Sequence, residues 1–588
     1  MTEKKEKQIN KLVEYLWKYK FMYMGGVIVL LLVDFMDLYI PQITGEITDG
    51  LTSHTITEDG ILLACLKMLG CAVIIMLGRL GYRYFIIGTS RKIERGLQND
   101  LFAKIETLSQ RYFNENKTGD LMAYFTNDIE VIREAIGWSV ISAFDAMVLT
   151  FMCLYRMMVN VSVKLTLFTL IPMSVIGFLS TFAIRAMEAR FDEKQEAFAK
   201  LSDVVQESIT AERVIKAFTQ EEKQLEFFKT ENEKYRQVNL RLAKLMATMW
   251  PIMEVLIGAA YVIAIILGGY YCLIGEITLG KFVTFSSYVG TLVWPMIAFG
   301  DSITYFTQGL SAMKRINKVF NEVPEIQDST EAEEIDTIQG DIRFDHVFFR
   351  YKPELDDALK EIDIHIAKGE TFALMGRTGA GKTTMVNLLT RIYDTTEGVT
   401  YVDGHDIRKL PLSTLRENIA YVPQDNFLFS ETIESNISFS KQNASMEEII
   451  EACKTADIHD NIMDFSDKYE TMMGERGVTL SGGQKQRVSI ARALIKDSPI
   501  LIMDDSLSAV DTDTEDVILS NLKELRQNKT TIMIAHRVST VRNADHILFL
   551  EDGKMAEYGT YDELMELDGQ FAQMAKKQQL ESALASEA

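Results

Sequence analysis

Several features are scarce in this chain of 588 residues, and each scarcity excludes a class of protein. There are only five cysteines (Cys65, Cys71, Cys153, Cys272 and Cys453), and no two of them form a CxxC pair. This pattern indicates neither a disulfide framework nor a zinc site. Basic residues are also few, since 61 Lys and Arg oppose 83 Asp and Glu and give a net charge of -22. A protein that binds a phosphate backbone normally has a basic face, so nucleic acid is not expected as a partner.

Long apolar runs dominate the first half of the chain. Hydrophobic residues make up 47% and charged residues 24%, a blend that fits one membrane part and one soluble part. A helix needs about 20 residues to cross the hydrocarbon, and we expect six such spans, at 21–43, 61–88, 135–155, 162–184, 247–274 and 282–306. Six crossings place both ends on one side. Lysines before the first span identify that side as the cytoplasm: Lys4, Lys5, Lys7, Lys11, Lys18 and Lys20. No cleavable signal peptide is expected.

The connections between the expected spans are unequal. The outer ones, near 44–60, 156–161 and 275–281, are short, whereas the inner ones, near 89–134 and 185–246, are long, charged and helical in periodicity. We therefore expect the membrane helices to continue into the cytoplasm as paired stalks that end in short transverse segments, near Asn114–Asp120 and Glu207–Glu212. The alternative is a pair of separate helical hairpins.

Ionisable residues inside the expected spans are costly, so they usually face a protein interior or a wet cavity. Asp34 and Asp37 share one face of the first helix, and Lys67 is expected at a depth similar to that of Asp37. Either a polar cavity for a cationic or amphipathic cargo or a structural ion pair explains them, and the sequence does not identify the cargo. The set consists of Asp34, Asp37, Lys67, Arg79, Asp145 and Glu254.

The second half of the chain has a different sequence pattern, without long apolar runs. We expect a membrane α-helical domain over 1–320, an acidic, turn-rich linker over 321–340 and an α/β P-loop nucleotide-binding domain over 341–588. The strand-like run Thr371–Met375 precedes a glycine-rich loop and a helix start, which is the P-loop pattern. That loop consists of Gly376, Arg377, Thr378, Gly379, Ala380, Gly381, Lys382, Thr383 and Thr384.

The P-loop pattern predicts roles for individual residues in binding ATP and Mg²⁺. Its glycines let backbone N–H groups converge on an anion, Lys382 adds positive charge at the phosphates, and Thr383 offers a hydroxyl to Mg²⁺. A second apolar strand ends in Asp504. A carboxylate at the end of a strand beside the P-loop is placed to hold Mg²⁺ through water.

Between these two elements lies Leu480-Ser481-Gly482-Gly483-Gln484. With this motif the chain resembles the ATP-binding-cassette (ABC) superfamily, and six spans before one cassette resemble an exporter half-transporter. The resemblance implies that two cassettes face each other, with Ser481, Gly482, Gly483 and Gln484 completing the ATP site of the opposite subunit. It also implies an adenine contact for Tyr351, γ-phosphate and Mg²⁺ sensing for Gln424, and a switch role for His536. Ser508–Asp511 resembles the loop that joins the cassettes, and Gly474–Gly477 the segment that touches the stalks.

One position departs from the family pattern. The family places Glu directly after the strand aspartate as the base that polarises water, whereas this chain has Asp505. Losing one methylene withdraws the carboxylate by about 1.5 Å, a scale that can cost on the order of 100-fold in rate. Two hypotheses follow: a heterodimer, in which this chain's own site is degenerate and a different half-transporter supplies the catalytic Glu, or a homodimer with Asp505 as a slower base.

The resemblance implies ATP-driven export of a small molecule, lipid or peptide through a bacterial plasma membrane, with the nucleotide-binding domain in the cytoplasm. A lipid flippase and an ATP-gated channel are alternatives on the same scaffold. A non-transport ABC ATPase acting on ribosomes or DNA is opposed by the six expected spans and the acidic balance.

Overall fold

The computed structural model describes residues 11–329, 332–333, 335, 337–474 and 480–587, excepting the side chains of 176–177, 180–181, 183–185, 188, 250 and 582–587. The chain divides into two compact units. Unit 1 comprises 1–107 and 116–322, and unit 2 comprises 108–115 and 323–588. The expected assignment of 1–320 to one membrane domain therefore differs at Leu108–Glu115, which packs within unit 2.

All regular secondary structure in the described residues of unit 1 is helical. The helices cover Lys11–Lys18, Lys20–Asp37, Tyr39–Thr52, Glu58–Tyr82, Gly88–Glu106, Thr118–Ala123, Ile129–Ile136, Trp138–Phe144, Thr150–Asn160, Val163–Thr210, Glu212–Ala217, Glu221–Leu273 and Leu279–Asn321. Single π-helical turns join neighbouring helices at Arg83–Ile87, Tyr124–Asp128 and Asp145–Leu149, and the residues that flank each turn have helical φ and ψ.

Five helical segments of the described residues are long and apolar enough to cross a membrane: Lys20–Thr52, Glu58–Glu106, Thr118–Asn160, Glu221–Leu273 and Leu279–Asn321. They coincide with five of the six expected spans. The remaining expected span, 162–184, lies in the helix Val163–Thr210, whose described apolar part is the shorter stretch Val163–Val175.

The second inner connection forms a paired stalk, as expected. Val163–Thr210 and Glu221–Leu273 contain 48 and 53 residues, and at 1.5 Å per residue they are about 70 to 80 Å long, well beyond the hydrocarbon. The two helices pack against each other, for example through a 2.7 Å hydrogen bond from Gln224 to the Ser208 hydroxyl. Because each helix is continuous with an apolar stretch, the alternative of a separate hairpin is wrong for this connection.

Short helices lie near the predicted transverse segments but with other bounds. They are Gln110–Glu115 rather than Asn114–Asp120, and Glu212–Ala217 rather than Glu207–Glu212. The stalk helix continues to Thr210 and ends at Ala211, where ψ changes to 13°. No glycine or proline marks this end, which is why the sequence pattern placed the turn too early.

Two of the charged residues in the spans form an ion pair. Asp37 forms an ion pair with Arg79, with 3.3 Å between carboxylate and guanidinium. Lys67 is exposed and is not its partner, and Glu254 is also exposed. The hypothesis of a structural ion pair therefore holds for Asp37 but not for Asp34 or Asp145, each of which has a buried carboxylate oxygen without a hydrogen-bond partner.

The described residues of unit 2 form two β-sheets with ten strands in all. The ten strands are β1 Ile342–Phe349, β2 Leu359–Ile366, β3 Thr371–Gly376, β4 Glu397–Val402, β5 His405–Asp406, β6 Ile419–Val422, β7 Ile500–Asp504, β8 Thr530–Ile534, β9 His546–Glu551 and β10 Lys554–Gly559. One sheet is antiparallel, in the order β2-β1-β4-β5, and the other has the order β10-β9-β3-β8-β7-β6 and is parallel except for β10. Strands β7 and β8 are buried along their whole length, as parallel strands covered on both faces are.

Helices and short turns complete unit 2. The helices are Gln110–Glu115, Lys382–Leu389, Leu412–Glu417, Ile433–Ser438, Met446–Thr455, His459–Met463, Gly482–Leu494, Thr512–Leu525, Val538–Val541, Tyr561–Glu566 and Gln570–Glu587, with 3₁₀ turns at Ile407–Lys409 and Lys468–Glu470. The described part of the expected linker 321–340 is not free chain. Ile326 and Ile338 are buried, and the N–H groups of Gln339 and Gly340 donate to the Asp403 carboxylate.

Candidate active site

The loops that carry the predicted site begin at the carboxyl ends of parallel strands. The P-loop follows β3, Gln424 follows β6, Asp504 ends β7 and His536 follows β8. These strands are neighbours in one sheet. Carboxyl ends of parallel strands lie at the same edge, which is where open α/β sheets bind ligands. Residues far apart in the sequence are thereby brought to one place.

The P-loop glycines have backbone conformations that a side chain would not tolerate. Gly379 and Gly381 have φ of 84° and 102°, in the left-handed region that favours glycine. A Cβ on Gly381 would lie 2.9 Å from the Ala358 carbonyl oxygen. The helix Lys382–Leu389 begins directly after Gly381 and has no side-chain cap. Its first N–H groups are therefore available to an anion, which the helix dipole also favours.

Lys382 is buried and its ammonium is already oriented. It donates to the carbonyl oxygens of Gly376 and Arg377, at 2.9 and 3.0 Å. An ammonium has three donors, so one remains for a phosphate oxygen. Burial lowers the pKa of Lys382, while the nearby carboxylates of Asp504 and Asp505 act in the opposite direction. The Lys382 ammonium is thus a positive charge held in a fixed position at the P-loop.

Asp504 provides a buried carboxylate beside the P-loop hydroxyl. It is 1% exposed and accepts a hydrogen bond from the Thr383 side chain. Burial raises the pKa of Asp504, although the hydrogen bonds from Thr383 and from Tyr421, whose hydroxyl is 3.4 Å away, oppose this shift. Hydroxyl and carboxylate oxygens fit Mg²⁺, which is usually held by one or two protein ligands together with phosphates and water. Among the described residues, no cluster of three or more His, Cys, Asp or Glu could hold a metal ion.

One cavity of about 320 Å³ brings most of the predicted site together. Its walls include Tyr351, Thr378, Gly379, Gly381, Lys382, Thr383, Thr384, Gln424, Asp504 and His536. Gly376, Arg377 and Ala380 belong to the loop but do not line this cavity. Tyr351 is fixed at its rim by a 2.8 Å hydrogen bond to the Thr384 hydroxyl and by edge contacts with the rings of Phe349 and Tyr393.

Asp505 and His536 face a second, smaller space. Both line a cavity of about 20 Å³ next to the end of β7. Asp505 is in the left-handed region, with φ of 46°. Its N–H donates to the Ile534 carbonyl and its own carbonyl accepts from the Ser508 hydroxyl, both at 2.9 Å. The backbone that carries this carboxylate is therefore held from both sides.

The Ser481–Gln484 motif does not line the P-loop cavity of its own chain. Ser481 begins the helix Gly482–Leu494, and its hydroxyl and the Gln484 side chain form a reciprocal capping box. Gly483 lies against the loop after β7, where a Cβ would come 2.8 Å from the Ala509 carbonyl oxygen. Only glycine allows this approach of helix and loop.

Two family models match parts of the two units. Residues 23–296 match the family of the ABC transporter transmembrane region, and residues 359–508 match the ABC transporter family. A probable multidrug resistance ABC transporter ATP-binding/permease protein of Bacillus subtilis, YheI, is 35% identical over 98% of both chains. The chain belongs to the ABC transporter family.

Two further comparisons refine this assignment to the exporters. The ATP-dependent lipid A-core flippase of Syntrophus aciditrophicus is 35% identical over 84% of this chain and 82% of its own length. A solved bacterial Atm1-family ABC exporter with ATP bound has a TM-score of 0.79 and 26% identity, covering 95% of this chain and 98% of that one. This ABC exporter is accordingly a multi-pass membrane protein with a cytoplasmic nucleotide-binding domain, and its ATPase is coupled to transport.

Sequence reasoning about this ABC exporter missed the residues that hold its loops. Gln486 is buried and its amide contacts both the Ser508 hydroxyl and the Ala509 N–H, at 3.1 and 2.9 Å. Arg537 donates to the Ser508 carbonyl at 3.1 Å. The side chain of Gln578, on the last helix, donates to the His536 carbonyl at 2.7 Å. Gln486 and Arg537 adjoin known motifs and could have been suspected, whereas no local signal indicates Gln578.

Leu108–Glu115 is the part of the first inner connection that packs in unit 2. Asn114 donates to the Tyr393 hydroxyl at 3.0 Å, and Arg111 pairs with Glu325 at 3.1 Å. The ring of Tyr393 contacts that of Tyr351, which lines the P-loop cavity. The predicted stalk contact of Gly474–Gly477 stays a prediction, because 475–477 lie outside the described residues.

Proposed function

We propose that this chain is one subunit of a heterodimeric ABC exporter, in which its own P-loop site is degenerate and its Ser481–Gln484 motif completes the active site of a different half-transporter. The exported cargo is a small or amphipathic molecule. The observation that carries the proposal is the position of Asp505. A base must reach the proton it takes, so its geometry matters before its pKa does.

The fixed backbone of Asp505 supports a degenerate site. Two hydrogen bonds, to Ile534 and from Ser508, hold the peptide groups on either side of its Cα. The backbone therefore has little freedom to shift toward the ATP site by the roughly 1.5 Å that would compensate for the shorter side chain of Asp. In this proposal the site binds ATP through Lys382 and the loop N–H groups but hydrolyses it slowly.

The remaining parts of the site favour tight nucleotide binding. Thr383, Asp504 and Gln424 are the proposed Mg²⁺ ligands, of which Asp504 acts through water. When bound, Mg²⁺ neutralises charge on the β- and γ-phosphates. His536 is proposed to contact the γ-phosphate, with its backbone held by Gln578. A site that lacks only the reach of its base would keep all of these interactions.

The Ser481–Gln484 motif supports the complementary half of the proposal. The capping box uses the N–H groups of Ser481 and Gln484, whereas those of Gly482 and Gly483 remain for a ligand, and Ser481 and Gly482 are exposed. Such a terminus suits a phosphate. Because this motif is complete while Asp505 departs from the pattern, the two ATP sites of a heterodimer would be unequal.

Native mass spectrometry of the complex, purified from its own membranes through a tag on this chain, tests the proposal. We expect one copy of this chain with one different half-transporter that has Glu after its strand aspartate. A complex of two copies of this chain would contradict the heterodimer, because both sites would then depend on Asp505. Tagging the partner chain and recovering the same pair is the matching control.

A further inference from the structure

The short helix Lys11–Lys18 precedes the first candidate span and packs against Gly88–Glu106, which continues the second candidate span into the cytoplasm. The Tyr15 hydroxyl donates to the Asp100 carboxylate at 3.1 Å. Gly96 allows this approach, because a Cβ at that position would lie 2.6 Å from the Tyr15 hydroxyl oxygen. The short helix is therefore held along the side of its neighbour.

A second contact defines the register of the two chain segments. Seven residues further along the chain, the Met22 sulfur accepts a hydrogen bond at 3.5 Å from the hydroxyl of Thr89, which lies seven residues before Gly96. The two segments thus run antiparallel in constant register, and residues 18–20 lie level with 91–93. Both stretches stand at the cytoplasmic ends of expected spans, because the first of these begins at 21 and the second ends at 88.

Four exposed cations at this level form what we call the inner basic cluster. They are Lys18, Lys20, Lys92 and Arg95. Within the part of the chain that the structure describes, none of the four forms an ion pair. The carboxylates on these helices have other partners: Glu94 accepts from Arg133 at 3.4 Å, and Glu14 lies 3.6 Å from Lys11. The cluster therefore presents uncompensated positive charge from two helices at once.

An exposed apolar stripe accompanies the cluster. Val13, Trp17, Phe21 and Met24 follow one another at intervals of three or four residues and are 46, 65, 70 and 55% exposed. Side chains at this spacing lie on one side of a helix. The Lys20 ammonium lies 4.5 Å from the centre of the Trp17 ring. Exposed Trp and apolar side chains next to Lys are typical of a helix that lies in the membrane interface.

We propose that the inner basic cluster binds the headgroup of an anionic phospholipid from the cytoplasmic leaflet, with the lipid chains against the apolar stripe. Cations just outside a membrane span attract anionic lipids, and each Lys or Arg adds to the attraction. Because Gly96 and Tyr15 already fix the two helices to each other, little ordering of the backbone is needed when the headgroup binds. The inference concerns a lipid site and does not rest on which half-transporter is the partner.

Photochemical capture of lipid by the purified complex in nanodiscs tests the inference. The nanodiscs contain equal amounts of phosphatidylglycerol and phosphatidylcholine with the same acyl chains, so that only the headgroups differ. Phe21 is replaced by p-benzoylphenylalanine, and the captured lipid is identified by mass spectrometry. We expect phosphatidylglycerol to be captured on the order of tenfold more often than phosphatidylcholine. The matched position is Phe182, which is 65% exposed near the same end of the expected fourth span and should capture both lipids without this preference.

Two double variants test the charges, each made together with the photoreactive residue. One is Lys18→Gln with Lys20→Gln, and the other is Lys92→Gln with Arg95→Gln. Each should reduce the preference for phosphatidylglycerol on the order of tenfold, because one juxtamembrane cation contributes roughly fivefold to lipid affinity.

The control for total charge is Arg241→Gln with Lys244→Gln. These two exposed cations stand three residues apart just before the expected fifth span, outside the inner basic cluster. Their removal should leave the preference at Phe21 unchanged.

Three results would overturn the inference. The first is equal capture of both lipids at Phe21. The second is an equal preference at Phe182, which would reduce the effect to the general charge of the cytoplasmic side. The third is a preference at Phe21 that survives both double variants or is lost equally in the control. Should a double variant fail to assemble, the comparison of Phe21 with Phe182 decides. None of these measurements uses ATP, so failure here is distinct from failure of the asymmetric ATP sites.

Discussion

Replacing Asp505 by Glu tests the role of base reach most directly. The substitution adds one methylene to a side chain whose backbone is held by Ile534 and Ser508 at 2.9 Å. The carboxylate should therefore advance into the small cavity shared with His536 rather than be absorbed by a shift of the loop. The change repairs the one position at which this chain departs from the family pattern.

The expected gain follows from the distance. A displacement of about 1.5 Å at a reacting group can change the rate on the order of 100-fold, which is about 2.7 kcal/mol of activation free energy at 1.36 kcal/mol per tenfold. The left-handed φ of 46° at position 505 suits Asp better than Glu, so we expect a loss of about 1 kcal/mol in the free energy of unfolding. This loss affects stability and leaves the gain in rate measurable.

The assay must isolate this chain's own site from the opposite one. Gly482→Asp places a negative charge at the exposed start of the signature helix, where it should repel the phosphate of the opposite site. In a heterodimer, Asp505→Glu combined with Gly482→Asp should hydrolyse ATP up to about 100-fold faster than Gly482→Asp alone. In a homodimer every site would contain both changes, and activity would be absent. Asp505→Asn in the same background is the matched control and should not accelerate hydrolysis.

A rate within twofold of Gly482→Asp alone, in a complex shown to contain a different partner and to bind ATP, would refute the reasoning. Base reach would then not be the limiting defect. The partner's signature motif would be the next element to replace.

Three further outcomes are expected. Lys382→Met should weaken ATP binding at least tenfold, measured with a fluorescent nucleotide, because the buried ammonium at the loop carbonyls is lost. Gly483→Ala should lower hydrolysis at the opposite site on the order of tenfold, because its Cβ would lie 2.8 Å from the Ala509 carbonyl oxygen. ATP binding to this chain's own P-loop should not change, and an equal loss of ATP binding at that P-loop would contradict the prediction. Gln578→Ala should remove the hydrogen bond to the His536 carbonyl and lower both the free energy of unfolding, by about 1 kcal/mol, and the ATPase rate. Thermal unfolding measures the first effect and steady-state hydrolysis the second. An unchanged ATPase rate would show that Gln578 contributes to stability only.

The parts of the site that follow from local pattern were predictable. A strand, a glycine-rich loop and a helix start identify the P-loop because each element has a short-range signal. Gln578 has no such signal, since it is 42 residues from His536 and acts through one side-chain amide. Its role depends on where the last helix packs, which periodicity does not reveal.

The partner of Asp37 could not be predicted for a similar reason. Lys67 was expected at a depth similar to that of Asp37, whereas Arg79, on the same helix as Lys67, forms the ion pair. Twelve residues of helix correspond to about 18 Å along its axis, so an error in relative depth of two helices changes which residues meet. Hydropathy determines that a segment spans the membrane, but packing determines its depth and rotation.

Leu108–Glu115 has a consequence for any attempt to study the ATPase unit alone. The chain passes between the two units at three places, after 107, 115 and 322, rather than once. A fragment that begins at Val323 therefore lacks a helix of its own fold. Tyr393, which is 4% exposed, would lose the amide of Asn114 and gain an open face next to Tyr351. Nucleotide affinities measured on such a fragment would describe a site in which the support of Tyr351 is incomplete, and adding a peptide of residues 108–115 in trans is the way to restore it.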